Sequence, residues 1–271
     1  MAANKDDFNF DPDFLREKYR EERDKRLRQD GNDQYQEVKG DFTYFVEDPY
    51  VEEKIHRNPI DDEIEVAIIG GGFGGLLAAA RLKESGIDNF KIFEKGGDFG
   101  GTWYWNRYPG ASCDIESYIY FPLLEQTKFI PKQKYTNAPE TLEYIGVIAD
   151  KYGLKERAIF QTEVTKVTWL EDKELWNLST NKGDSINAKF VVHSNGPLNR
   201  PKLPAIKGIE KYEGHTFHTS RWDYKYTGGS SKGNLEGLKD KKVAIIGTGA
   251  TAVQCIPHLG ESAKELFVSK S

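Results

Sequence analysis

Residues 64–75 read IEVAIIGGGFGG, and no other stretch restricts the fold of this chain as much. A continuous short apolar run is the pattern of a parallel strand buried on both faces. Glycines at 70, 72 and 75 follow it and satisfy G-x-G-x-x-G, with Phe73 inside the motif. The next residues, FGGLLAAARLKE, predict a helix with small side chains toward the strand, and FKIF predicts a second strand. Gly70 permits the tight turn, Gly72 lets the backbone approach a pyrophosphate, and Gly75 lets helix and strand pack closely. The phosphate then meets free N–H groups at the positive end of the helix. Glu94 ends the second strand, 24 positions after Gly70. An acid there grips the hydroxyls of an adenosine ribose.

The same grammar recurs in KVAIIGTGATA, a strand over residues 242–246 and then Gly247, Thr248, Gly249, Ala250, Thr251 and Ala252, a G-x-G-x-x-A variant. A helix over 250–258 and a strand from 265 follow. The two leading glycines lie 177 residues apart, which is no solenoid period. Two dinucleotide-binding domains in series account for the echo. One flavin and one nicotinamide give a chemical reason for such a pair, because hydride passes between them.

Composition closes other routes. The chain has 271 residues, 38 Lys plus Arg against 43 Asp plus Glu, and a formal charge of −5. That balance argues against a nucleic-acid binder. With 38% hydrophobic residues there is enough for a core. Two cysteines, Cys113 and Cys255, imply no disulfide framework and fit a reducing, cytoplasmic compartment. The start, MAANKDDFNF, lacks a secretory pattern. The most apolar stretch, 66–82, holds five glycines and is too short for a membrane span.

Residues 1–60 read as an arm. Asp11 before Pro12 predicts a helix start. DFLREKYREERDKRLR continues it with a thin apolar stripe of Phe14, Leu15, Tyr19 and Leu27. Opposite charges four apart support it, in Lys18 with Glu22, Glu21 with Lys25, Glu22 with Arg26 and Asp24 with Arg28. A solvated arm explains the pattern better than a partner helix. Between the glycine motifs, residues 139–152 predict a helix, 164–170 and 175–180 a hairpin, and 190–193 a strand. Residues 96–122 are rich in Gly, Pro and aromatics with little periodicity, and 100–114 within them read GGTWYWNRYPGASCD. They serve either as core or as the wall of a flat ring system. The spacing favours core for the tyrosines and decides neither for Trp103 nor for Asp114, whose carboxylate could face the ring or an active-site cation. His215 and His218 complete no metal set, and His218 reads as a hydrogen-bonded structural histidine rather than a base. No metal site is expected.

Taken in order, the first glycine motif, GGTWYWNRYPGASCD, a Y-x-G-x-x-x-H-x-x-x-W-D pattern (Tyr212, Gly214, His218, Trp222, Asp223) and GTGATA resemble the flavin-dependent Baeyer–Villiger monooxygenases. The likeness runs from about residue 64 onward, and the arm resembles the N-terminal extension of the larger members. The resemblance implies an α/β fold: a Rossmann-like FAD-binding domain, then the start of a Rossmann-like NADP-binding domain. The segments are an arm over 1–60, the FAD domain over 61–204, a linker over 205–223 and the NADP domain start over 224–271. It implies that NADPH reduces FAD, that the flavin takes up O2 as a peroxide, and that a ketone becomes an ester or lactone. By position, Gly70, Gly72, Phe73, Gly75, Glu94, Thr102, Trp103, Asp114, Tyr120 and Val164 resemble FAD contacts, with Asp114 also the catalytic candidate. Ser112, Cys113, Gly247, Thr248, Gly249, Ala250, Thr251, Ala252 and Gln254 resemble NADP contacts. His218 and Trp222 resemble linker residues that couple domain motion to cofactor position.

Two departures stand beside the likeness. The family's catalytic arginine lies beyond the matched region. Where the family carries an arginine for the NADP 2′-phosphate, this chain offers only Lys270, which reads as solvated. The chain is therefore expected to be the N-terminal part of such an enzyme, its fold completed by a second polypeptide or a homo-oligomer. The alternative is a catalytically incompetent FAD-binding remnant or interaction module. A disulfide oxidoreductase needs a paired dithiol, which two cysteines so far apart in sequence do not offer. The expected ligands are a small ketone and O2, with neither nucleic acid nor membrane.

Overall fold

The computed structural model describes residues 10–269, so Lys270 lies outside the described residues. Its strands are β1 (Tyr35–Gln36), β2 (Asp61–Ile69), β3 (Phe90–Phe93), β4 (Ala158–Ile159), β5 (Val164–Leu170), β6 (Leu175–Thr180), β7 (Ser185–His193), β8 (Leu203–Pro204), β9 (Lys242–Ile246) and β10 (Glu265–Ser269). Its helices are α1 (Pro12–Arg26), α2 (Phe73–Glu84), α3 (Thr102–Trp105), α4 (Ser117–Tyr120), α5 (Leu124–Thr127), α6 (Ala138–Lys151), α7 (Tyr224–Thr227) and α8 (Ala250–Ser262). The chain divides into two compact units, residues 1–38 with 202–214, and residues 39–201 with 215–271.

In the first unit, the Asp11 carboxylate caps α1 by accepting from the backbone N–H of Asp13 at 2.9 Å, and Pro12 takes the first position, where its missing N–H costs nothing. No residue of α1 is buried. Its ion pairs correct the expected spacing: Asp13 with Arg16, Glu17 with Arg20 and Glu22 with Lys25 close three apart rather than four. Both spacings put side chains on one face. Glu22 has bases at both, and Arg26 instead donates its Nε to the Glu22 carbonyl in the open last turn. β1 pairs antiparallel with β8.

The second unit is built on a six-stranded sheet in the order β4-β3-β2-β7-β6-β5. β4, β3, β2 and β7 run parallel, and β7, β6 and β5 form an antiparallel wing. β2 is central because its apolar run buries Ile64, Val66, Ala67 and Ile68. α2 lays Leu76, Ala79 and Ala80 on it, fully buried. α6 adds Tyr144, Ile145, Ile148 and Ala149 to the same core, at helical spacing. Its start is capped by Asn137, which accepts from the N–H of Glu140 at 3.0 Å.

Several boundaries differ from expectation: β2 begins at Asp61 rather than Ile64, and α6 sits one residue early at Ala138–Lys151. β7 begins at Ser185, because Ile186 and Ala188 point inward between β2 and β6 while the polar residues alternate outward. The expected strand over 190–193 is only its apolar end. The start of β7 is anchored by Asp184, which is buried and takes both terminal nitrogens of Arg57, at 2.5 and 2.6 Å. α8 runs past the expected end at residue 258 to Ser262, despite Pro257. Buried Ala252, Cys255 and Leu259 form one stripe that holds the last turn in place. The irregular stretch over 96–122 contains the single turns α3 and α4. β9 and β10 pair in parallel as a two-stranded sheet that carries α8.

Candidate functional site

At the end of β2 the chain turns at Gly70 with φ +108°, a conformation that side chains resist. A Cβ on Gly75 would run into the Gly70 carbonyl, so α2 sits directly on the turn it leaves. Gly72 approaches a second glycine loop: a Cβ there would meet the Gly101 Cα at 3.3 Å. Gly71 O accepts from Gly100 N at 2.9 Å, which ties the two loops together. Gly72 is the N-cap of α2 and brings no side-chain oxygen, so the first-turn N–H groups keep no side-chain partner. That leaves donors and space for a phosphate.

The Glu94 carboxylate closes this turn from the end of β3. Its Oε2 accepts from Gly71 N and its Oε1 from Gly96 N, each at 2.7 Å. It is 5% exposed, and burial pushes its carboxyl up despite the two backbone donors. Each oxygen retains a lone pair, so the same carboxylate has capacity for two hydroxyls. Glu94 O accepts from Thr162 N, which brings the start of β5 alongside. Val164, half-buried, packs against the cluster containing Phe93 and Ala67.

The aromatic loop lies beside the turn. Trp103 Nε1 donates to Tyr120 Oη at 2.9 Å, and Phe73 meets Tyr120 edge-on with centroids 5.5 Å apart. Three of the residues read as flavin contacts are thus one packed group. Both readings of Trp103 remain compatible with its 8% exposure. Thr102 opens α3 and is half-buried. Asp114 is exposed, and its charge adds to the burial that raises the Tyr120 phenol and the Cys113 thiol. It lies within electrostatic reach of that group.

The second glycine turn repeats the geometry in part. Gly247 has φ +115°, its N–H donates to Ser269 O at 2.8 Å, and Gly249 is the N-cap of α8 without a side-chain partner. Thr248, Gly249 and Ala250 are exposed, Thr251 is half-buried and Ala252 is buried. Gln254 reaches back to the aromatic loop. Its Nε2 donates to Ser112 O at 3.0 Å and its Oε1 accepts from Tyr108 Oη at 2.7 Å. Its carboxamide is engaged in joining α8 to residues 108–112. Cys113 is buried and its N–H donates to Thr136 O at 2.8 Å.

In the linker, His218 Nδ1 accepts from the Ser220 N–H at 3.1 Å and meets Ser220 Oγ at 2.8 Å. An accepting Nδ1 assigns the proton of the neutral ring to Nε2. Burial, with the Arg221 charge nearby, lowers its pKa to about 4, so the ring is neutral near pH 7 and serves structure. Trp222 is 2% exposed, and its indole N–H donates to Thr227 Oγ1 at 3.1 Å.

Sequence reasoning passed over Lys95 and Arg221. The Lys95 ammonium lies 5.3 Å from the centroid of the Trp105 ring, and burial lowers its pKa. Arg221 lies 3.8 Å over the same ring. Lys95 directly follows Glu94, the expected ribose contact, and was legible on that ground. Arg221 occupies an unspecified position of the linker pattern and carried no signal. Among the described residues no cluster of His, Cys, Asp or Glu could hold a metal ion.

Residues 67–268 match the family described as pyridine nucleotide-disulphide oxidoreductase. The chain belongs to this family. Its two cysteines, Cys113 and Cys255, are both buried and free. The expected resemblance to Baeyer–Villiger monooxygenases is borne out by its relatives. The chain is 52% identical over 264 residues to the Baeyer-Villiger monooxygenase ATR8 of Stachybotrys chlorohalonatus, covering 97% of this chain and 42% of that protein. It superposes on the polycyclic ketone monooxygenase of Thermothelomyces thermophila with a TM-score of 0.87 and 39% identity, over 94% of this chain and 44% of that one. It superposes on OTEMO in complex with FAD and NADP with a TM-score of 0.68 and 34% identity, over 76% and 38% of the two chains. The chain thus spans less than half the length of these relatives.

Proposed function

We propose that this chain provides the FAD-binding part, and the opening strand, turn and helix of the NADP-binding part, of a Baeyer–Villiger monooxygenase that converts a ketone, with O2 and NADPH, into an ester or lactone. The observation that carries the reading is the Gly70 turn, open to a phosphate on the α2 N-terminus and closed by a buried carboxylate with spare lone pairs. Residues 61–204 form the FAD domain in this reading, 205–223 the linker, 224–271 the start of the NADP domain, and 1–60 an arm.

The residues fit the cofactor. Gly70, Gly72 and Gly75 leave room for its pyrophosphate, Glu94 takes its adenosine ribose, and the packed group of Phe73, Trp103 and Tyr120 offers an apolar wall. Thr102, Asp114 and Val164 border the same region. The flavin, when bound, supplies hydride acceptance and activation of O2. The protein's part is to hold and orient it, exclude water from the aromatic side, and keep a carboxylate, Asp114, beside the group. Gly247, Thr248, Gly249, Ala250, Thr251 and Ala252 take the nicotinamide cofactor's pyrophosphate, with Ser112, Cys113 and Gln254 lining its approach. His218 and Trp222 shape the linker.

No helix among the described residues is long and apolar enough to cross a membrane. The two free cysteines agree with a cytoplasmic setting. The exposure of Ile246, Phe267 and Val268 on β9 and β10 favours a second reading for the chain on its own, a flavin-binding module without turnover. The absorption spectrum of the purified chain tests the cofactor reading, since a colourless folded product would refute it. Ketone-dependent NADPH oxidation then separates the two: its absence removes the catalytic reading and leaves the module.

A further inference from the structure

The linker contains two kinds of contact, and they divide by residue. The fingerprint residues fold it onto itself, His218 on Ser220 and Trp222 on Thr227. The residues that join it to the aromatic loop are ones the pattern leaves unspecified. Arg221 is 4% exposed, and its guanidinium stacks at 3.8 Å over the ring of Trp105. Its Nη1 donates to Ser220 O at 2.8 Å and its Nη2 to Asn199 O at 3.0 Å. Just past the linker, Tyr224 Oη donates to Arg107 O at 2.5 Å. Arg107 in turn stacks on Tyr50 and Tyr104 at 4.2 and 4.6 Å.

A buried guanidinium normally meets a carboxylate, because desolvating a lone cation is costly. Among the described residues Arg221 forms no ion pair, and its Nε has no partner. Lys95, with like charge, approaches the same ring and donates to Asn199 Oδ1 at 2.6 Å. A leucine or methionine would fill the position at lower desolvation cost. What an arginine adds is a planar fork that stacks on one segment while donating to a second and back to its own.

We propose that Arg221 is a positioning residue that docks residues 215–223 of the linker, and with them the approach to the second glycine turn, onto the loop containing Thr102, Trp103 and Trp105. It joins the linker, that loop and the segment leaving β7 through one planar group. Only Tyr104 separates Trp103 from Trp105 on the single turn α3. Whatever orders Trp103 therefore also orders the platform of Arg221, and the linkage is reciprocal. The docking stands on contacts alone; its consequence for a flavin beside Trp103 rests on the function proposed above.

Hydrogen exchange followed by mass spectrometry tests it on the purified chain, first without and then with added FAD. In Arg221→Met, amides of residues 215–227 exchange about tenfold faster or more, while those of β2 and β3 keep their rates. Trp105→Leu, which removes the platform and keeps the charge, gives the same local pattern and serves if Arg221→Met does not fold. Arg221→Lys restores only part of the protection, because an ammonium cannot stack as a plane and donate in two directions at once. Rates within about twofold of the parent in both variants overturn the proposal. So does an acceleration spread evenly over the sheet, which marks a general packing role, and so does full rescue by lysine. These outcomes are read without flavin, so they are independent of whether the flavin band appears. With FAD bound in the parent chain, residues 215–227 gain protection; no gain removes the coupling and leaves the docking.

Discussion

Lowering the pH from 7 to 5 destabilises this fold through one side chain, His218. Its Nδ1 accepts from a backbone N–H at 3.1 Å, and the Arg221 charge lies beside it. Protonation would set donor against donor and add a second buried cation. The pKa is depressed from 6.5 to about 4 on folding, so between those values the unfolded chain binds the proton and the folded chain does not. Stability therefore rises with pH across this window and is lost as pH falls from 6.5 toward 4. Linkage puts the loss between pH 7 and pH 5 at about 2 kcal/mol, levelling at about 3 kcal/mol below pH 4. His218→Asn keeps an acceptor where Nδ1 sits and cannot titrate. Urea unfolding of both proteins at pH 7 and pH 5, followed by tryptophan fluorescence, isolates the term. The difference of their pH slopes is expected near ~2 kcal/mol. Equal slopes, or a difference under about 0.5 kcal/mol, would show that His218 is not held as a buried acceptor.

Further outcomes are expected elsewhere. Gly72→Val fills the 3.3 Å approach to Gly101 and abolishes flavin retention, read from the absorbance of the purified protein; an unchanged flavin content would refute the assignment. Glu94→Ala strands two buried N–H groups and weakens flavin binding by about 1–3 kcal/mol, measured by fluorescence titration. Asp184→Ala leaves the Arg57 charge uncompensated and costs about 3–5 kcal/mol of stability by urea unfolding, with the anchor of β7 lost. The Asp184 carboxyl is held well below its ordinary range by Arg57, so its contribution is present above pH 3.8 and fades as pH falls below it.

Much of the site's frame was legible because it is local. The glycine turn, the helix behind it and the acid at the end of β3 lie within 25 consecutive positions, 70–94, and each is dictated by steric demands on neighbouring residues. The hairpin of β5 and β6 was legible by its alternation. The start of β7 was not, because Ser185, Asn187 and Lys189 are polar and only Ile186 and Ala188 point inward, a pattern that pays off only when both flanking strands are present. The end of α8 was obscured by Pro257, whose local penalty is overridden by burial of Leu259.

The strand, turn and helix order, the two glycine-turn starts and the family resemblance follow from sequence alone, since backbone sterics and burial periodicity act over a few residues. Tertiary structure decided the rest. It set Gln254 of α8 against Ser112, joined Phe73 and Trp103 through Tyr120, and buried Arg221 over Trp105. Each of these contacts joins residues from different elements, and their energies come from hydrogen bonding and stacking in a shared interior. No local pattern encodes that environment.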